Sequence, residues 1–116
     1  MMGKMSREKG KRGEREFAKL LRSHGLDAKR GQQHSGSPES PDVICPGLPV
    51  HWEIKRTEAL SVYKALEQAK TDSGIDQVPI VAHRRSGRAW VCILDANALI
   101  SLLSKLTQLE KTEKGG

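Results

Sequence analysis

Apolar residues recur at helical spacing near the start of the chain, where Phe17, Leu20 and Leu21 make one stripe between about Arg12 and Ser23. That spacing predicts a helix, and His24-Gly25 is a stop signal for it. The pattern then turns extended. A short strand is expected to include Asp27 to Arg30. The Gly31 to Ser40 segment carries no apolar anchor and reads as a flexible loop. Pro41 restricts its predecessor, and Asp42 opens a brief Val43-Ile44-Cys45 strand bounded by Pro46-Gly47. In the next run Val50, Trp52 and Ile54 alternate with His51, Glu53 and Lys55, so the two sets face opposite sides of a strand. Thr57 or Ser61 can cap a helix through Val62, Ala65, Leu66 and Ala69 that stops near Ser73-Gly74. Strands from Val78 to His83 and from Ala89 to Leu94 follow, with Pro79 suited to an edge or strand-start position. Asp95 can cap a last helix carrying Leu99, Ile100, Leu102, Leu103, Leu106 and Leu109.

These elements describe an α/β chain with a mixed central sheet flanked by helices. A single domain is expected over residues 11–110, between a basic, flexible segment at 1–10 and a frayed tail at 111–116. The last helix carries more apolar surface than one small sheet obviously needs. Closure of the core is the favoured reading, and a seam with a second copy is the other.

The polar positions carry the chemistry. If the two central strands pair as a hairpin through Pro46 to Pro49, Asp42 can lie beside Glu53. Two carboxylates in a partly dry site repel each other and need a cation or a shared proton. Magnesium is a hard ion that prefers oxygen ligands and meets that need. Glu14 lies one turn before Phe17 and two before Leu21, at the border of the buried stripe, whereas Glu16 falls farther round with the solvated basic residues. Glu14 is thus the better third acid, although complementing the helix dipole would also explain it.

Pro41-Asp42 followed by Glu53-Ile54-Lys55 resembles the signature of the PD-(D/E)XK nuclease superfamily. Lys11-Arg12-Gly13-Glu14-Arg15-Glu16-Phe17, continuing to His24-Gly25, resembles the first helix of its archaeal Holliday junction resolvases. Ser35-Gly36-Ser37 is similar to their Gly-Ser loop, at a different spacing from the aspartate. Glu67-Gln68-Ala69 is similar to a helical glutamine found after the Glu-X-Lys strand. The resemblance spans about Lys9 to Leu94 and implies a restriction-endonuclease-like fold and magnesium-dependent hydrolysis of DNA, with manganese as a substitute.

On that reading Asp42, Glu53, the Ile54 carbonyl and Glu14 hold the ion, and Lys55 orients water or neutralises charge on the phosphate. Glu14, Asp42, Glu53, Lys55 and Gln68 form the catalytic set. Gln68 follows Lys64 by one helical turn, so both can approach the scissile phosphate.

Charge agrees with a nucleic-acid partner. The 116 residues include 20 Lys and Arg against 14 Asp and Glu, a net charge of +6, and the excess crowds the first helix and its approach. Lys11, Arg12, Arg15, Arg30, Ser37, Arg56, Arg84, Arg85 and Arg88 are the candidate DNA contacts, the last three in a hairpin turn. Phe17, Trp52 and Trp90 sit in core-like patterns, which leaves no stacking platform and favours duplex or branched DNA over single strands. Cys45 and Cys92 both fall in strands expected to be buried and lack disulfide or zinc spacing. His24, His34, His51 and His83 lack ligand spacing as well. His51 shares the Glu53 face, where a strand-end role is the simpler reading. No membrane-length apolar run is present, and a cytoplasmic location is expected. An endonuclease, with a homodimer as one expected state, is the main reading, and a non-catalytic DNA-binding subunit of a larger complex is the alternative.

Overall fold

The computed structural model describes the backbone of residues 2–31 and 43–115, and the side-chain surroundings of residues 10–31 and 43–112. The expectations for Ser37, Asp42 and most of the Gly31 to Ser40 loop lie outside the described residues.

Helix α1 runs from Met2 to Ser23, starting well before the apolar stripe that predicts it. The lead-in is rich in Lys, Arg, Glu and Met, all good helix formers, so the helix extends through residues expected to be flexible. Gly13, Phe17, Ala18 and Leu21 make its buried stripe. Gly13 lets the helix lie close to the sheet, since a Cβ there would lie 2.7 Å from Cβ of Arg56. The helix stops in a Schellman turn: Gly25, at φ +87°, donates to the Arg22 carbonyl at 3.0 Å, and Leu26 donates to that of Leu21 at 3.2 Å.

Among the described residues five strands follow in spatial order β1-β2-β3-β4-β5, at Lys29–Arg30, Val43–Ile44, Val50–Arg56, Val78–Arg84 and Val91–Ile93. Among the described residues only β3 and β4 are parallel. The turn after β2 pairs it antiparallel with β3, and Val43 stands opposite Trp52. Helix α2, Val62–Asp72, makes the crossover from β3 to β4. Ser61 holds its N-cap position, without a side-chain capping bond. Pro79 pairs with His51 but lies beyond the part of β4 that pairs with β5, so its missing N–H costs the sheet no bond to that edge.

Alternation along β3 and β4 sorts the two faces. Trp52, Ile54, Ile80 and Ala82 pack toward Phe17, Ala18 and Leu21 of α1. Phe17 sits 4.9 Å from the Trp52 ring in a T-shaped contact and 5.1 Å from Trp90. On the other face Val81 packs with Ala65, Leu66 and Ala69 of α2. That second core is small because the β3 residues on its side are His51, Glu53 and Lys55.

Helix α3, Ala96–Gly115, corrects two expectations. It stays helical as far as Gly115, into the tail expected to fray, and it does not close the core. Leu99, Ile100, Leu103, Leu106 and Leu109 remain 44% to 63% exposed. The helix extends the molecule, whose longest dimension is 60 Å. Lys70 ties its start to α2 through Asp95 at 2.9 Å. Cys92 is a further correction: it is exposed on the edge strand β5, whereas Cys45 is buried.

Candidate active site

Glu53 is the centre of the polar face of β3, only 6% exposed at the middle of the sheet. Its two oxygens have different neighbours. Oε1 lies 3.2 Å from Nε2 of His51, and Oε2 lies 3.9 Å from Nζ of Lys55. Lys55 in turn donates to Oε1 of Gln68 at 2.9 Å. The strand therefore presents its acid and its ammonium on one side, and α2 meets them from above.

Helical spacing decides what α2 contributes. Gln68 and Asp72 are one turn apart and share a face, so Gln68 comes to Lys55 while Asp72 comes to His51 and Glu53. Ligand atoms of His51, Glu53 and Asp72 all lie within 4.8 Å of one another. Beyond Lys55 a pocket is lined by Thr57, Ser61, Lys64 and Gln68. Its ammonium groups suit an anion such as phosphate.

Glu14 projects from α1 and is held by Arg30, whose Nε donates to its Oε2 at 2.7 Å. It does not belong to the His51, Glu53 and Asp72 group. Glu16 departs from the solvated position expected of it. It accepts from NH1 of Arg84 at 2.9 Å and lies 3.6 Å from Nε of Arg56. Arg56 itself is mostly buried, with Nε and NH1 lacking hydrogen bonds among the described residues. The structure thus divides the candidate DNA-binding residues. Lys11, Arg12, Arg15, Arg85 and Arg88 are exposed, whereas Arg30, Arg56 and Arg84 are engaged with glutamates of α1.

The β4-β5 turn is itself ordered. Gly87 takes φ +75°, Arg84 Nε donates to the Arg88 carbonyl at 2.7 Å, and Ser86 is bound by Glu58. His83 and the Thr57 carbonyl, 2.9 Å apart, join that turn to the loop beside Lys55.

Asp72 was not among the residues expected at the site, and His51 was expected to serve only at the strand end. For His51 the signal was the two-residue alternation that puts it with Glu53. For Asp72 it was the single turn separating it from Gln68, useful only once the crossover lays α2 antiparallel to β3.

The solved structure of a Holliday junction resolvase from the archaeal hyperthermophile Archaeoglobus fulgidus matches with a TM-score of 0.56 at 24% identity, covering 72% of this chain and 74% of that one, and this likeness concerns the fold. No curated protein matches. The family model for archaeal Holliday junction resolvases matches residues 5–116. The carboxylate and lysine of β3, facing a glutamine of α2, therefore stand in a chain that belongs to the archaeal Holliday junction resolvase family of structure-selective nucleases.

Proposed function

We propose that this chain cleaves branched DNA as a magnesium-dependent endonuclease, manganese serving in its place. The observation that carries the reading is the side-by-side presentation of Glu53 and Lys55 on β3, with Gln68 bonded to the lysine. Asp42, Glu53, the carbonyl of Ile54 and Glu14 would hold the ion. Support for Asp42 comes from its neighbour Val43, whose cross-strand partner Trp52 adjoins Glu53. When bound, the ion would lower the pKa of a water and neutralise charge on the phosphoryl oxygens. A carboxylate-rich set suits a hard cation.

The protein's own groups do the rest. His51 fixes the Glu53 carboxylate through Oε1, leaving Oε2 toward Lys55. Lys55 carries a positive charge where the attacked phosphate gains negative charge, and Gln68 holds that ammonium in place. Lys64, in the adjoining pocket, would take a neighbouring phosphate. Exposed Arg85 and Arg88, with Lys11, Arg12, Arg15 and Ser37, would hold the duplex arms. Arg30, Arg56 and Arg84 could join them only by leaving Glu14 and Glu16.

A four-way junction has two equivalent strands to cut, and the outward apolar stripe of α3 would give a second copy its seat. Pairing through α3 places two active sites in one assembly.

The reading is tested by incubating the protein with a four-way junction, a linear duplex and single-stranded DNA in magnesium or manganese. Cleavage of the junction is expected, with loss of cleavage in Asp42→Ala and Lys55→Ala. Asp42→Ala should still bind the junction, because removing an acid lowers repulsion toward phosphate. Binding without cutting by the unaltered protein, in both metals and on every substrate, would contradict the reading and favour a non-catalytic subunit.

A further inference from the structure

We propose that His51, Glu53 and Asp72 form a cation position of their own, which takes a transition ion such as Mn2+, Co2+ or Zn2+ in preference to Mg2+. The position uses the Glu53 oxygen turned away from Lys55, so its link to cleavage rests on the nuclease reading, while its geometry does not.

Three donors of suitable chemistry converge. His51 and Glu53 come from the same face of β3, and Asp72 comes from the last residue of α2. Their ligand atoms lie within 4.8 Å of one another, close to the separation of about 4.0–4.4 Å that opposite ligands of one ion with bonds of about 2.0–2.2 Å reach, so a small side-chain rotation brings all three onto one centre. His51 is 4% exposed and Glu53 6%, and polar groups buried to that degree need partners. Each supplies one to the other, yet two carboxylates remain around one imidazole.

Charge points the same way. Lys55 is on the opposite side of Glu53 and bonded to Gln68, and Lys70 is engaged with Asp95 and Glu67. Among the described residues no lysine or arginine pairs with Asp72. Asp72 also ends α2, where the helix presents its negative pole. A cation would meet two acids and a helix C-terminus at one point.

The imidazole sets the preference. Mg2+ demands near-ideal octahedral oxygen coordination and gives up water reluctantly, whereas imidazole nitrogen raises affinity for the later divalent metals. Three protein donors leave further coordination positions open to water or a phosphate oxygen. This position lies on the Asp72 side of Glu53, apart from the Lys55 and Gln68 pocket.

The test is a Co2+ titration of the full chain, followed by visible absorption. A saturable band is expected, retained in a large excess of Mg2+ and weakened at least ~10-fold in both His51→Ala and Asp72→Asn. Absence of a band, its displacement by Mg2+, or unchanged Co2+ affinity in either variant would overturn the proposal. Circular dichroism checks folding. If His51→Ala fails to fold, Asp72→Asn at the half-buried helix end decides the matter alone. Junction cleavage in Mg2+ by the unaltered protein is scored in parallel. Its failure would strike the nuclease reading and leave the Co2+ result to stand or fall by itself.

Discussion

Glu53 and Lys55 were readable in the chain because strand alternation has a period of two, which puts residues i and i+2 on one side wherever the strand lies. Their neighbours were not equally readable. Asp72 joins Glu53 only because α2 crosses the sheet at a particular height, and Glu14 meets Arg30 across sixteen residues of sequence. Glu16 shows the same limit. Helical position placed it among solvated residues, but the ends of β3 and β4 bring Arg56 and Arg84 up to it. Gly13 offers a prediction at this scale. A side chain there would press on Cβ of Arg56, within backbone-anchored structure that has little room to move. Gly13→Val should therefore destabilise by about 1–3 kcal/mol, read as a lower denaturation midpoint. An unchanged midpoint would show that α1 lies farther from β3.

At the level of elements, local signals located the helices and strands well where they had punctuation. His24-Gly25 ends α1 through the expected left-handed glycine, and Pro46-Gly47 turns β2 into β3, with Gly47 at φ +93°. The start of α1 carried no punctuation, so the apolar stripe marked only its buried half. Burial needs an apolar face, but helix formation does not. Residues 11–15 of α1 accordingly present a basic surface, with Lys11, Arg12 and Arg15 exposed. If these three hold phosphates, replacing all three by alanine should weaken junction binding uniformly. It should also flatten the slope of log affinity against log salt by about 3, roughly one per contact. An unchanged slope would remove α1 from the DNA interface.

For the molecule as a whole, the stripe on α3 shows why amphipathicity alone cannot assign a partner. Apolar spacing says that a face is to be covered, and says nothing of whether the same chain or another covers it. Here the central sheet already has α1 on one face and α2 on the other, so α3 has no remaining layer to join. Leu99, Leu103 and Leu106 stay about half exposed along it. Sedimentation at micromolar concentration should find a dimer. Leu103→Glu combined with Leu106→Glu should shift it to monomer without loss of secondary structure. A monomer in the unaltered protein would leave the stripe to some other partner and would require one copy to cut both junction strands in turn.

The fold, the basic helix and the paired copies matter to function only if the polar face of β3 performs the chemistry. Single-turnover cleavage of a four-way junction in Mg2+, comparing the unaltered protein with Glu53→Gln, measures this most directly. The substitution keeps the shape of the side chain and removes its charge. Junction binding should be retained and the cleavage rate reduced at least ~100-fold. A Glu53→Gln protein that cuts at the original rate would contradict it.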